Sequence, residues 1–165
     1  MLEEILGLPV VVRFLVGSDG VLAYAWHRDE GKAIRHLRRI EEYHSLEGEE
    51  VESEELEEWL AGWLRRVVLG GETFSLPDHP YRGVEAYREL LKVQRGETIT
   101  YGELARRSGL PYREVLMALM RNPFQVLIPC HRLLTKTGSL MGFYPLGVEV
   151  KRRLLELELE GVRIT

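Results

Sequence analysis

The 165-residue chain reads as an α+β protein in two parts, and three observations predict this. Residues 9–26 have the β-branched, turn-punctuated pattern of a strand pair. Two amphipathic helical stretches follow. Beyond the proline-rich break at Leu76-Pro77-Asp78-His79-Pro80 the pattern becomes mainly helical. Placing the boundary at that break gives an N-terminal α+β part over residues 1–76 and a second part over residues 77–165.

Pro9-Val-Val-Val-Arg-Phe-Leu-Val16 is apolar and β-branched, Gly17-Ser-Asp-Gly20 turns the chain, and Val21 to Trp26 runs back, which predicts a hairpin. Ala33, Ile34, Leu37, Ile40 and His44 recur at helical spacing, as do Leu56, Trp59, Leu60, Trp63, Leu64 and Val67. Ser53 followed by acidic residues is a sound start for the second of these helices, and Gly70-Gly71 should stop it. Trp59 and Trp63 read as core. Past the break, Val84, Tyr87, Leu90 and Leu91 mark a helix expected to end near Arg95-Gly96. Thr100 with Glu103 three residues on predicts a capping box for a short helix that Gly109-Leu110-Pro111 breaks. Tyr112, Val115, Leu116 and Leu119 then give a second helix, so the pair has the helix-turn-helix pattern. A last helix is predicted from about Val148, with Val150, Leu154 and Leu157 inward.

Charge is divided unevenly. Residues 1–80 hold 8 Lys+Arg against 17 Asp+Glu, and residues 81–165 hold 14 against 9. The basic second part suits a polyanion, and the acidic first part is expected to face away from it. No stretch approaches a membrane span and Met-Leu-Glu-Glu is not a secretory signal, so the expectation is a cytoplasmic protein without membrane contact. Cys130 is the only cysteine and no His/Cys cluster has ligand spacing, so no metal is expected.

The most informative stretch is Asn122-Pro-Phe-Gln-Val-Leu-Ile-Pro-Cys-His-Arg132. Phe124 to Ile128 is an apolar, strand-like run that should enter the core, so Pro129-Cys130-His131-Arg132 should lie where a buried segment surfaces. A thiol reacts as its thiolate, and an imidazole base with a cation nearby is the usual means of raising the thiolate fraction. Glu158, beside the inward face of the last helix, is a candidate to orient His131. Against this stands the ordinary role of a lone cysteine as a buried, inert hydrophobe.

Pro-Cys-His-Arg after Asn-Pro and an apolar run, with Tyr101-Gly-Glu-Leu-Ala upstream and Lys151-x-x-Leu-Leu-x-x-Glu158 downstream, resembles the O6-alkylguanine-DNA alkyltransferase family. The resemblance covers about residues 78–160. It implies a ribonuclease-H-like N-terminal domain and a winged-helix-like domain that binds duplex DNA from the minor groove, flips out an alkylated guanine and takes the alkyl group onto cysteine. O4 of thymine is a second candidate alkyl source. Carried over, Cys130 is the acceptor, His131 removes its proton through a water, Glu158 holds the imidazole, and Asn122 bonds the turn before the active segment. Tyr101 crowds the target phosphate, Arg113 fills the vacated stack, and Arg121 and Arg132 add cationic contacts. Tyr144 or Phe143, Pro129 and Met120 are the pocket residues. The thioether product has no route back, which implies one transfer per molecule, with DNA bearing O6-alkylguanine as the partner and a monomer as the expected state. Leu116 and Met117 stand where the family pattern suggests glycine, and Pro145 lacks an N–H to offer O6. A silent lesion sensor and a turnover thiol hydrolase are the rival readings. The first would not need Cys130, and the second would want an oxyanion hole.

Overall fold

The computed structural model describes residues 1–164, with side chains placed as far as Leu159. Thr165 lies outside the described residues. A short helix α1 (Leu2–Leu6) leads into the hairpin of β1 (Val11–Gly17) and β2 (Gly20–His27), joined where Gly20 takes a φ of 127° that only glycine adopts freely. β3 (Glu49–Val51) pairs antiparallel with the other edge of β1, giving the order β2-β1-β3. Between them α2 (Glu30–His44) lays Ala33, Leu37 and Ile40 on the sheet, its start capped by Asp29, whose side chain accepts from the Gly31 amide.

α3 (Glu54–Leu64) starts where predicted. The Ser53 hydroxyl accepts from the Leu56 amide, and the helix widens into a π-turn over Arg65–Leu69 before ending at Gly70. α4 (Val84–Leu91) stops earlier than expected, and the chain turns through Lys92 to Gly96, whose φ is 85°. The two-residue strands β4 (Ile99–Thr100) and β5 (Leu133–Leu134) pair in parallel. α5 (Tyr101–Ser108) and α6 (Tyr112–Met120) form the helix-turn-helix pair around Gly109, at φ 73°. Only half of the expected capping box forms. Thr100 Oγ1 accepts from the Glu103 amide, but the Glu103 carboxylate swings forward to Arg106 and Arg107, because two guanidiniums one turn on attract it more strongly than one backbone amide. α7 (Val148–Ile164) closes the chain.

The strand-like run does not form a strand. Residues 123–129 make a tight buried turn in which Val126 has φ 78°, a left-handed value rarely held by a β-branched residue. One hydrophobic cluster runs from Leu2 to Leu154 and contains this turn. Tyr24 N–H of β2 donates to Pro123 O at 2.9 Å, and the Tyr24 hydroxyl donates to Gln125 O, so the hairpin is bonded directly to the segment that carries Cys130. Among the described residues no helix is long and apolar enough to cross a membrane.

Candidate active site

Cys130 begins a single 3-10 turn, Cys130–Arg132, and is 7% exposed. Asn122, at the end of α6, fixes the turn before it. Its Nδ2 donates to Ile128 O at 3.1 Å and its Oδ1 accepts from the Phe124 amide at 2.9 Å. The same Asn122 side chain and the Val126 backbone lie within hydrogen-bonding reach of the thiol. The strained φ of Val126 is thus part of how the nucleophile is surrounded.

The thiol faces an apolar cavity of about 240 Å³. Leu116, Leu119 and Met120 of α6 form one wall, Met141, Gly142, Phe143 and Tyr144 of the loop form another, and Tyr101, Gln125 and Leu133 complete it. Both candidate aromatics, Phe143 and Tyr144, are therefore present. Pro129, the residue that precedes the 3-10 turn, is not a wall of this cavity. Leu116, where glycine was anticipated, is a cavity wall, and Met117 is exposed beside it.

Behind Cys130, His131 is fully buried and its Nε2 is 3.2 Å from Glu158 Oε2, while neither ring nitrogen makes an in-line hydrogen bond within the protein. The Glu158 carboxylate also receives Arg132, with Nη2 to Oε2 at 2.5 Å and Nε at 3.1 Å from both oxygens. Arg132 further donates to Val93 O at 2.7 Å and Val67 O at 3.4 Å. This corrects the expectation of a DNA contact from Arg132. At 4% exposure, with its donors spent on one carboxylate and two carbonyls, it ties three segments together from inside. Nor does it stand as the thiol's counter-charge, because Glu158 takes it.

That charge comes from a residue quoted within the downstream motif but given no role there. Lys151 is fully buried on α7, and its Nζ donates to Tyr101 Oη at 2.9 Å and Leu140 O at 2.6 Å. Burial pushes its ammonium down to about 8, and the Cys130 thiolate favours the charged form. Burial likewise pushes the Cys130 thiol up, opposed by the Val126 and Asn122 hydrogen bonds and the Lys151 charge. Burial lowers His131, which Glu158 partly restores. Burial also works to raise Glu158, but His131 and Arg132 outweigh it and hold the carboxyl below its usual range. The resting arrangement is a neutral imidazole held beside a carboxylate, the state a base requires.

Tyr101, expected at a phosphate, is buried as a cavity wall with its hydroxyl turned to Lys151. Arg113 is exposed in the first turn of α6, and Arg121, half-buried, ends it. Gln125 was also missed. Its Oε1 accepts from Trp26 Nε1 at 2.5 Å and its Nε2 donates to Tyr144 O at 2.6 Å, so it joins the hairpin to the cavity loop. Only the lack of an apolar side chain in an otherwise apolar run could have flagged it. Among the described residues no group of three acidic, His or Cys side chains could hold a metal.

Residues 84–160 match the family model described as 6-O-methylguanine DNA methyltransferase, DNA binding domain. Over these residues the chain is similar to that DNA-binding domain. It is 47% identical over 81 residues to the methylated-DNA–protein-cysteine methyltransferase of Metallosphaera sedula, covering 49% of this chain and 51% of that one. With the Saccharolobus solfataricus methyltransferase of the same description it shares 41% over 93 residues, covering 56% and 58%. The matched stretch thus spans little more than half the length of these curated relatives. Likeness in structure reaches further. The crystal structure of O6-methylguanine-DNA methyltransferase from Pyrococcus kodakaraensis aligns with a TM-score of 0.65 at 28% identity, over 87% of this chain and 89% of that one. Mycobacterium tuberculosis OGT in complex with DNA aligns with a TM-score of 0.51 at 34% identity, over 61% and 66%. The methyltransferase family match contains Cys130, His131 and Glu158 together.

Proposed function

We propose that this protein repairs DNA by direct reversal, moving a methyl or other alkyl group from O6 of guanine onto Cys130, one transfer per molecule. A single observation carries the reading. A lone, enclosed thiol lies at an apolar cavity, backed by the His131–Glu158 pair and flanked by a helix-turn-helix whose exposed first turn carries Arg113. The family match over residues 84–160 supports it. In this reading the N-terminal part, up to residue 76, is ribonuclease-H-like, and the rest is a winged-helix-like DNA-binding domain. The protein acts as a cytoplasmic monomer, and O4-alkylthymine is a second substrate because it offers the same carbon–oxygen bond.

A stacked base cannot bring O6 to an enclosed sulfur, so the nucleotide must leave the helix, at a cost of a few kcal/mol. Arg113, exposed and planar, fills the stack it vacates, and Arg121 meets a phosphate. Tyr101 guards the rim of the cavity against the displaced backbone. His131 Nδ1, buried without a protein partner, takes the Cys130 proton through one water, and Glu158 steadies the imidazolium. Lys151 stabilises the thiolate. The sulfur–carbon bond forms as the carbon–O6 bond breaks. The electron pair leaves with guanine, which takes up a proton and returns to the helix. The chain and the lesion supply every atom of this step, so it needs no cofactor.

The test is the intact mass of the protein after incubation with a duplex carrying one O6-methylguanine, followed by peptide mapping. Gain of one methyl group on the Cys130 peptide, with guanine restored in the duplex, is the expected result. Tight lesion binding with no gain in mass would overturn transfer in favour of a sensor.

A further inference from the structure

The acidic N-terminal half carries an unexpected row of cations on the side of the molecule that holds the cavity. Lys32, His36, Arg39 and Tyr43 follow one another on α2 at steps of three or four residues, and Arg35 lies three from Lys32 and four from Arg39, which places all five on one face of that helix. The two uncharged members show where this face lies. The His36 ring packs edge-on against Tyr144, a wall of the cavity, with centroids 5.2 Å apart. At the other end, Arg82 stacks over the Tyr43 ring at 4.7 Å, and Tyr43, Arg82 and Arg113 line a common groove. The row therefore runs from the cavity loop towards the first turn of α6.

Lys32, Arg35 and Arg39 are all exposed, and none forms an ion pair among the described residues. Elsewhere the exposed Arg65, Arg82, Arg88, Arg113 and Lys136 likewise lack an ion pair among the described residues, whereas other cations are paired. Arg13, Arg38, Arg66, Lys92, Arg106, Arg107 and Arg152 each hold a carboxylate. The acidic residues of α2 largely lie elsewhere. Glu30 faces Arg13 of β1, Glu41 faces Glu50 at β3, and Asp29 caps the helix, leaving Glu42 exposed on the flank. With a screening length of about 8 Å in physiological salt, a ligand at this face responds to the local row more than to the acidity of the whole half. From Lys32 to Arg39 the row is roughly 10 Å long, enough for two or three phosphates of one strand at about 3.4 Å of rise each.

We propose that Lys32, Arg35 and Arg39 form a second phosphate-binding strip, which extends the DNA surface from the helix-turn-helix onto the N-terminal part and grips the duplex beside the flipped nucleotide. The inference rests on the DNA-repair reading above and assigns α2 to the same partner. It replaces the expectation that the acidic half turns away from DNA as a whole.

The experiment measures fluorescence anisotropy of a labelled duplex bearing one O6-methylguanine as salt is raised from about 50 to 300 mM, a range over which phosphate contacts are lost. The full-length protein is compared with K32A/R35A/R39A, with R35A and R39A singly, and with Arg38→Ala, which removes a cation paired to Glu50 instead. Each lost phosphate contact flattens the plot of log affinity against log salt by about 0.9. The triple variant should therefore flatten it by about 2 to 3 and weaken binding at least tenfold at the lowest salt. The single variants should each flatten it by about one contact, which keeps the test valid should the triple variant melt early. Arg38→Ala should leave the slope unchanged. A triple or single variant that keeps the native slope, or an Arg38→Ala variant that flattens it equally, overturns the strip while leaving repair intact. A native protein that neither binds the duplex nor gains a methyl group overturns the underlying reading as well.

Discussion

His131 Nε2 and Arg132 Nη2 converge on one oxygen, Glu158 Oε2, at 3.2 and 2.5 Å, inside a fully enclosed space. A single carboxylate thus holds the base and anchors the segment behind it. Glu158→Ala leaves a buried guanidinium uncompensated and should cost roughly 3–5 kcal/mol of stability in urea unfolding. Glu158→Gln keeps the shape but not the charge. It should fold and slow alkyl transfer at least about tenfold, as expected when a general base loses its support. Equal transfer rates in Glu158→Gln and the native protein would remove Glu158 from the chemistry.

Arg113 and Arg132 should separate cleanly. Arg113→Ala, on an exposed first turn, should leave unfolding unchanged within about 0.5 kcal/mol and impair transfer from duplex more than transfer from free O6-alkylguanine base, because only the duplex reaction needs the flipped state held open. Arg132→Ala should instead lower stability by about 3–5 kcal/mol and leave the salt slope of DNA binding in place. A flattened slope in Arg132→Ala would return that residue to the DNA surface.

Gln125 offers a test of the link between the hairpin and the cavity. Gln125→Ala strands the buried Trp26 indole N–H and should cost about 1–3 kcal/mol. It also releases Tyr144 O from its donor, so transfer from bulky benzyl substrates should change relative to methyl, measured as a ratio of rates. Unaltered stability and an unaltered ratio would show that neither bond matters.

Three buried histidines, His36, His44 and His131, have their imidazoles pushed down mainly by burial, the first two to about 4. A folded value below the unfolded one of about 6.5 means that the unfolded chain binds more protons in between. Stability is therefore fully present above about pH 6.5 and is lost as pH falls towards 4, by up to about 1.4 kcal/mol per pH unit for each histidine. Urea midpoints should fall steadily as pH drops below 6.5, and His44→Gln should shallow that fall. For transfer the sign is opposite to that of an acid-activated enzyme: with the Cys130 thiol raised by burial, the rate should climb as pH rises through neutrality.

The helices and the hairpin were legible because local signals agreed with the fold: Ser53 and Thr100 cap, Gly70 and Gly109 stop, and the apolar positions recur at the right period. Cys130, His131 and Asn122 were legible because they lie within one short segment. What could not be read were the decisions made by packing. Arg132 and Lys151 carry charges that a sequence reading assigns to the surface, and only the converging carboxylate of Glu158, or the hydroxyl of Tyr101, makes their burial tolerable. The run from Phe124 to Ile128 has strand-like composition, yet Val126 turns left-handed within a segment whose backbone Asn122 bonds at Phe124 and Ile128 and Tyr24 bonds at Pro123 and Gln125. Gln125 is polar for partners about a hundred residues away at Trp26, a relation no local pattern records.

The bond from Tyr24 N–H to Pro123 O has a consequence for solubility. β2 is the outer strand of its sheet, and an open edge invites pairing with a strand from another molecule. Here the turn that presents the nucleophile also stoppers that edge. Severing the chain near residue 76 would uncork it, and the first half made alone would be expected to self-associate through β2, so the reactive segment guards the protein against aggregation as well as carrying its chemistry.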